Sequence, residues 1–434
     1  MMKLKWICLL VILVCFIQIT NAQKLTLQEA IDLGLKNNFD IQLSRNDVEI
    51  SKLNNSFGMA GGLPIVVGTA NDQESIINIH QKLNSGVDIK RNAVTSNALN
   101  ANIAGSIVLF NGYRIKATQQ KLNALQKQTE ASLNADILTL VQNVMVSYYG
   151  IVKQQNFIEA LQQSIALSEN QLSLVKLKQQ IGLANNADLF QSQIDLNTRM
   201  QEMQQQQLFM IQAKSDLANL LNLATTSEIE INDSIVNEDP LEYNEVLSSI
   251  EQNPLLISLS QQIKVNELIE KEIASQRKFS LRANAGLNLS NNKSGAGQVL
   301  LNQSYGPYVG LNLSVPIYNG GINKRQTSIA KVNTQQATLT KEQILASYKT
   351  SVLKLYQTYA SSAEQLNTQK NSFQLAKQLV DLSTKRFELG AATILELREA
   401  QKSFEDAAYQ LVSLKYTLKL AEIELKKISN KLKY

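Results

Sequence analysis

The chain is poor in the side chains that most active sites are built from. Among 434 residues there are two cysteines, one histidine, five prolines and one tryptophan. Both cysteines, Cys8 and Cys15, fall within residues 1–22, where Lys3 and Lys5 lead into an apolar run from Trp6 to Ile17 and Ala22 ends the stretch. That layout predicts a secretory signal. Its apolar run is shorter than the roughly 20 residues a membrane-crossing helix needs. Cys15 is an alternative lipidation site, although Val14 before it is bulkier than such sites usually carry. Cleavage after Ala22 would leave no cysteine, which excludes disulfides. With His80 alone in a polar stretch, a transition-metal site lacks its usual ligands.

Other absences narrow the class further. The sequence has no Gly-rich phosphate loop and no nucleophile motif, so neither an enzyme nor a cofactor is expected. The formal charge of +5 falls to +3 without Lys3 and Lys5. So small a charge on so long a chain does not point to nucleic acid. Beyond residue 22 there is no run of 18 apolar residues. Any membrane-spanning part is therefore made of strands.

What the chain does have is a duplication. Asn111-Gly112 recurs as Asn319-Gly320, Gly182 as Gly390, and Asp188 as Glu396, each 208 residues on. Nearer the start of each half the offset is 216, pairing Glu29 with Glu245 and Asn37 with Asn253. The second copy is thus eight residues shorter in its strand region, as a loop in a repeated structural unit tolerates. The expected organisation is a first repeat over 23–223, an acidic non-periodic linker over 224–240 and a second repeat over 241–434. Thr26 and Glu29 form a capping box at the start of the first.

Each repeat carries two alternating stretches and then two long helices. From Ser280 to Ser290, polar residues alternate with Leu281, Ala283, Ala285, Leu287 and Leu289. From Tyr308 to Ile317 the apolar set is Val309, Leu311, Leu313, Val315 and Ile317. Period-two runs of about ten residues suit a transmembrane β-barrel, with lipid on one face and water on the other. This makes Leu287, Leu289, Leu311, Leu313 and Val315 lipid-facing. The first repeat shows the pattern more weakly within about 62–110, where Pro64 cannot donate to a ladder. The bland reading, a soluble sheet with one wet face, fits four strands set in helical sequence poorly.

Residues 113–222 and 321–430 read as helical hairpins. Residues 113–181 hold no proline and one glycine, Gly150. Ile158, Leu161, Ile165, Ser168, Leu172 and Val175 step by three and four, as do Leu345, Tyr348, Val352, Leu355, Tyr359, Ser362 and Leu366. Sustained heptads mean coiled-coil packing, and a helix of this length reaches about 100 Å. Gly182 and Gly390 fall where the helices must reverse, and Gly112 and Gly320 where strand gives way to helix. Four strands cannot close on themselves, and open edges are not tolerated in lipid. Membrane strands therefore require several copies of the chain.

Over nearly its whole length after residue 22 the chain resembles the TolC-like outer-membrane efflux proteins. The resemblance rests on Leu313-Ser-Val-Pro-Ile-Tyr-Asn-Gly-Gly321, on Arg386-Phe-Glu-Leu-Gly390 with Leu395-Glu-Leu-Arg-Glu-Ala-Gln401, and on Gly182-Leu-Ala-Asn-Asn-Ala-Asp188. It implies a mainly α fold with transmembrane β: a duplicated β-hairpin plus long antiparallel coiled-coil helices. Three copies would form a 12-stranded barrel in the outer membrane, continuous with a periplasmic α-helical barrel. The implied function is a passive exit duct serving a tripartite efflux or type I secretion system. Its partners would be outer-membrane lipid, a periplasmic adaptor and an inner-membrane pump of the RND or ABC type.

The same resemblance assigns Gly182, Leu183, Gly390 and Ala391 to the hairpin tip that meets the adaptor. It places Asp188, Phe387, Glu396 and Glu399 at a periplasmic aperture. There the family's tip aspartate is held by a tyrosine and an arginine, but here those positions are Phe387 and Ala392, so that lock does not carry over. Glu396 and Glu399 would form an acidic ring favouring cations; the plain alternative is that both are solvated helix residues. The competing function is a periplasmic coiled-coil adaptor or scaffold without a pore, which leaves the four strands unused.

Overall fold

The computed structural model describes residues 23–224, 229–236 and 240–433. The expected signal, residues 1–22, lies outside the described residues. In order, the elements are β1 (Gln23–Lys24), α1 (Leu27–Asn37), α2 (Phe39–Asn54), β2 (Ile65–Lys82), β3 (Asp88–Phe110), α3 (Arg114–Gln180), α4 (Asn186–Leu220) and β4 (Ile229–Glu230). The second half follows with α5 (Tyr243–Ser249), a 3-10 turn (Ile250–Gln252), α6 (Pro254–Ser275), β5 (Ser280–Ser294), β6 (Leu301–Ser314), α7 (Ile322–Glu388) and α8 (Ile394–Ile428).

The duplication is kept in the backbone. Both first helices of the hairpins, α3 and α7, have 67 residues, and both return helices, α4 and α8, have 35. The strands differ, with 18 and 23 residues in β2 and β3 against 15 and 14 in β5 and β6. Near the start of each half one register needs correcting. Asn38, and not Asn37, is the counterpart of Asn253. Asn38 donates to the Leu220 carbonyl at 3.1 Å and accepts from the Asp40 amide, while Asn253 donates to the Ile428 carbonyl at 3.2 Å and accepts from the Leu255 amide. The 3-10 turn before Asn253 explains the shift, because its greater rise spans the same distance with fewer residues.

The chain divides into two compact units. The helical unit gathers the chain up to Arg45, Ser132–Leu256 and the chain from Gln343 on; the sheet unit gathers Asn46–Ala131 and Ile257–Glu342. In the helical unit, Ile31 and Ile41 pack with Val141, Val144, Tyr148 and Leu217. The capping box forms as expected, with the Thr26 amide donating to Glu29 at 2.9 Å and the Glu29 amide to the Thr26 hydroxyl at 3.3 Å. The linker is only partly irregular. Its residues 225–228 and 237–239 lie outside the described residues, but β4 pairs in parallel with β1. Ile231 beside it is buried, and Asp233 accepts from the Tyr148 hydroxyl at 3.3 Å.

Along the lower half of α7, Val352, Tyr359, Ser362, Leu366, Ala376, Val380, Ser383 and Phe387 are buried. These positions fall on one three–four ladder, the mark of knobs-into-holes packing. On α3 the buried ladder is Leu161, Ser164, Ser168, Gln171 and Val175. It coincides with the expected seam at Leu161, Ser168 and Val175 and adds two polar positions.

In the sheet unit the four long strands form one antiparallel sheet in the order β2-β3-β5-β6. The register aligns apolar residues across all four: Gly68, Ile103, Leu287 and Pro307 form one row, and Ala70, Ala101, Leu289 and Tyr305 the next. Leu313 and Leu311 stand opposite Leu281 and Ala283 on the same face. The ladder ends at Ser314, so Val315 and Ile317 lie past the strand expected to hold them. Pro316 has no amide to continue the ladder.

Candidate functional site

Three features of the structure bear on transport: the faces of the sheet, the turns that join strand to helix, and the turns of the helical hairpins.

Because side chains alternate across a strand, each row of the sheet belongs wholly to one face. The face bearing Leu281, Leu287, Leu289, Leu311 and Leu313 is apolar through successive rows and open on the protomer, Leu311 being 71% exposed. From Leu281 to Leu289 it extends about 27 Å along the strand, or about 20 Å in height at the tilt usual for membrane strands. Beyond Tyr305 the same face turns polar, where Asn97 donates to Asp72 at 2.7 Å and to Glu74 at 2.8 Å. The opposite face carries Asn100, Asn102, Asn284, Asn288, Ser290, Tyr308 and Asn312. Its groups bond to each other, Ser290 to Asn100 at 2.8 Å and Asn102 to the Tyr308 hydroxyl at 3.3 Å. One face suits hydrocarbon and the other water. Both edge strands, β2 and β6, lack an outer neighbour among the described residues.

At the junctions, Asn111 accepts from the Ile115 amide at 3.3 Å and so starts α3. Gly112 has φ +70°, and a Cβ there would stand 2.6 Å from the Ser275 carbonyl oxygen. Gly320 and Gly321 have φ +67° and +74°. The Ile322 amide donates to the Asn319 carbonyl, and Arg325 donates to the Gly320 carbonyl at 2.7 Å. Phe110, Tyr113 and Phe279 cluster at the first junction, with ring centroids 5.4 and 4.6 Å apart.

The hairpin turns are built alike. Gly182 and Gly390 have φ +76° and +74°. The amides of Leu183 and Ala391 reach back five residues, to the Lys178 and Arg386 carbonyls at 2.7 and 2.8 Å. This is the Schellman ending of a helix, and the left-handed residue it requires is the glycine. Each return helix then begins with a cap. Asn185 and Asp188 bond reciprocally, the Asp188 amide to the Asn185 side chain at 2.8 Å and the Asn185 amide to the Asp188 carboxylate at 3.3 Å. In the second copy the Glu396 amide donates to the Thr393 hydroxyl at 3.2 Å. Asp188 and Glu396 are therefore both third residues of a helix, where a carboxylate suits the exposed amides and the helix dipole.

The expected aperture residues separate into two groups. Glu396 and Glu399 are exposed, and Glu396 lies 3.7 Å from Arg386. Phe387 is buried between Val175 and Leu397, so it packs the two hairpins together and presents no exposed edge. Ala392 packs against the same cluster. Between the two turns lies a cavity of about 570 Å³ whose wall includes Lys178, Leu183, Asp188, Phe387, Leu389 and Thr393.

Sequence reasoning missed two ion pairs joining the return helices. Arg398 lies 2.8 Å from Asp195, and Arg199 lies 2.5 Å from Glu405, with Ser164 bonded to both members of the second pair. Burial pushes the Glu405 carboxyl up, opposed by the Arg199 charge, and pushes the Tyr409 phenol up to about 12, with Glu202 and Glu405 adding to the rise. The only signal in sequence was an arginine and a glutamate on two separate polar helices, which reads as solvated surface.

A sheet with one hydrocarbon-compatible face, followed in each half by a long helical hairpin, is the fold class of the outer-membrane efflux proteins. The chain belongs to the outer membrane efflux protein family, which it matches over residues 30–223 and 261–431. It is 21% identical over 347 residues to the outer membrane protein TolC of Salmonella enteritidis, covering 77% of this chain and 70% of that one. Among solved structures it resembles CusC, with a TM-score of 0.79 and 18% identity, covering 93% of this chain and 91% of that one. The Campylobacter jejuni CmeC outer membrane channel gives a TM-score of 0.79 and 17% identity, covering 93% and 85%. The protein is an outer-membrane efflux duct with a periplasmic portion.

Proposed function

We propose that three copies of the chain close one 12-stranded barrel, each giving the sheet β2-β3-β5-β6, and that the helical hairpins continue it as a periplasmic α-barrel. The observation that carries this reading is the sheet itself: an apolar face in register over four strands, with both edges unpaired among the described residues. Such edges are costly in hydrocarbon, and closure with other copies removes them. The tube would passively pass solutes delivered by an inner-membrane pump of the RND or ABC type through a periplasmic adaptor. The turns at Gly182-Leu183 and Gly390-Ala391 are the proposed adaptor contact, supported by the open side chains of Leu183 and Leu389 beside them. The exposed acids Glu396 and Glu399 are the proposed aperture ring.

Native mass spectrometry of the detergent-purified protein should give three chains, and planar bilayers should show stable single channels. Glu396→Gln/Glu399→Gln should lower cation preference without abolishing conductance. A monomer that never conducts would overturn the duct geometry. An unchanged preference would remove the acidic ring alone.

A further inference from the structure

Along the rows that β5 spans, the water-compatible face of the sheet carries one charge. Following the register from Ser280 to Ser294, its rows contain Asn312 beside Arg282; then Ile65, Ser106, Asn284 and Gly310; Val67, Ala104, Gly286 and Tyr308; Thr69, Asn102, Asn288 and Gly306; and above these Asn71, Asn100, Ser290 and Ser304. Amides, hydroxyls, glycines and a few apolar groups make up these rows except for Arg282. Farther along the β2–β3 hairpin, past the irregularity at Ile77/Ile79, Arg91 pairs with Ile79 on the same face. Its guanidinium is always ionised, the residue is exposed, and no carboxylate shares its row, where Val108 and Asn312 stand on either side. Carboxylates on this part of the sheet, Asp72 and Glu74, point to the other face.

We infer that Arg282 selects for anionic solutes. Resting on the barrel reading above, the closed sheet repeats this residue as a cationic belt flanked by neutral rows, with Arg91 of the same sign farther along the hairpin. A ring of like charges on a low-dielectric wall focuses the field and enriches the oppositely charged ion. The belt would favour solutes bearing a carboxylate, sulfonate or phosphate. Its sign is opposite to that of Glu396 and Glu399, so charge preference would be set separately in the strand-lined lumen and at the helical turns. The neutral rows beside it give the belt no carboxylate competitor: each amide around it serves cations and anions alike through its carbonyl and its N–H groups.

The test is ion selectivity of the full chain in planar bilayers under a KCl gradient. Arg282→Gln should raise the cation-to-anion permeability ratio at least about twofold, Arg282→Glu should raise it further, and Arg282→Lys should leave it near wild type. Both cysteines of the sequence precede residue 23. Arg282→Cys therefore permits modification within an already conducting channel, which separates selectivity from assembly. A sulfonate-bearing thiol reagent should shift selectivity toward cations, and an ammonium-bearing one should restore the wild-type value. Leu311→Cys, on the apolar face, should resist both reagents. Conducting channels that ignore Arg282→Glu and the modified cysteine would overturn the belt while leaving the duct intact. A wild-type protein that forms no channel would overturn the barrel reading and this inference with it.

Discussion

Lys178 on the first long helix donates to the carbonyl of Phe387 on the second, and its ammonium stands 3.9 Å over the Phe387 ring. Arg386 is the residue 208 positions on from Lys178, yet it turns to Glu396 of its own hairpin. The duplicated turns are thus alike in backbone and different in side-chain bonding. The first copy reaches across to the second, whereas the second closes on itself.

The contact makes Phe387 a packing residue. Phe387→Ala should destabilise the hairpin ends by about 3–5 kcal/mol, the range for buried phenylalanine truncation. Lys178→Met should cost less, because the stem keeps its packing while the charged hydrogen bond and the ring contact are lost. Hydrogen exchange of the amides around Gly390 is the direct measurement. Equal protection in wild type and Phe387→Ala would refute the contact.

Asp188 serves its own helix, with Asn185. Removing it in Asp188→Ala should fray the first turn of α4 by about 0.3–1 kcal/mol, as loss of a first-turn carboxylate does. Channel leakage should barely rise, since Phe387 and Ala392 supply neither of the polar partners found in the family's lock. A large increase in open probability would show that Asp188 has a second partner in the assembly.

How much was legible in sequence follows from these residues. Gly182 and Gly390 mark helix reversal because a left-handed residue is a local requirement, and the same holds for Thr26 and Glu29 at a helix start. The strand faces were legible for a similar reason, since Leu281 to Leu289 alternate without interruption. Strand ends were not: Val315 continues the alternation but Pro316 stops the ladder. The pairing of Ile229–Glu230 with Gln23–Lys24 was hidden because two-residue strands have no periodicity and the partners lie half the chain apart. Burial of Phe387 and the pairing of Arg199 with Glu405 were equally hidden, because both depend on how two hairpins rotate against each other.

The Arg199–Glu405 pair has a pH signature. Burial raises the Glu405 carboxyl in the fold above its ordinary value of 4.5. Its contribution to stability is therefore fully present below that value and is lost as pH rises through the raised one. Melting of wild type against Glu405→Gln should show wild type losing ground as pH rises above about 4.5. Arg199→Met should cost about 1.5–3 kcal/mol at neutral pH by removing a charged hydrogen bond from a partly buried carboxylate, and Arg199→Met/Glu405→Leu should recover most of it. A pH-independent difference between wild type and Glu405→Gln would rule out the burial effect.

The faces of the sheet predict opposite responses on neighbouring residues. Leu311→Arg or Leu313→Arg places a charge on the apolar face, costing up to roughly 2–4 kcal/mol at mid-bilayer and less toward the interface. Leu313 stands opposite Leu281 at the end of the band, so its substitution should cost the less of the two. Assembly into membranes should fall for both. Asn312→Arg, on the other face between them, should assemble normally and change selectivity in the direction set by Arg282. Heat-resistant oligomer recovered from outer-membrane fractions measures all three. Equal assembly of Leu311→Arg and Asn312→Arg would invert or abolish the orientation.

Two glycines with nearly the same backbone angle should also behave differently. Gly112 and Gly182 have φ of +70° and +76°, so an alanine at either pays the left-handed penalty of about 1–2 kcal/mol. At Gly182 the added methyl meets nothing within 4 Å, and the penalty is the whole cost. At Gly112 it lands 2.6 Å from the Ser275 carbonyl and 2.7 Å from the Lys278 Cβ. Backbone has to move, and the segment that has to move is the one between α6 and β5. Gly182→Ala should therefore give a slightly less stable duct with normal yield, whereas Gly112→Ala should lower the yield of assembled protein. Yield and thermal midpoint of the two variants, purified side by side, decide it. Equal behaviour would mean that the junction relaxes freely and that close approach at Gly112 does not set the strand-to-helix turn.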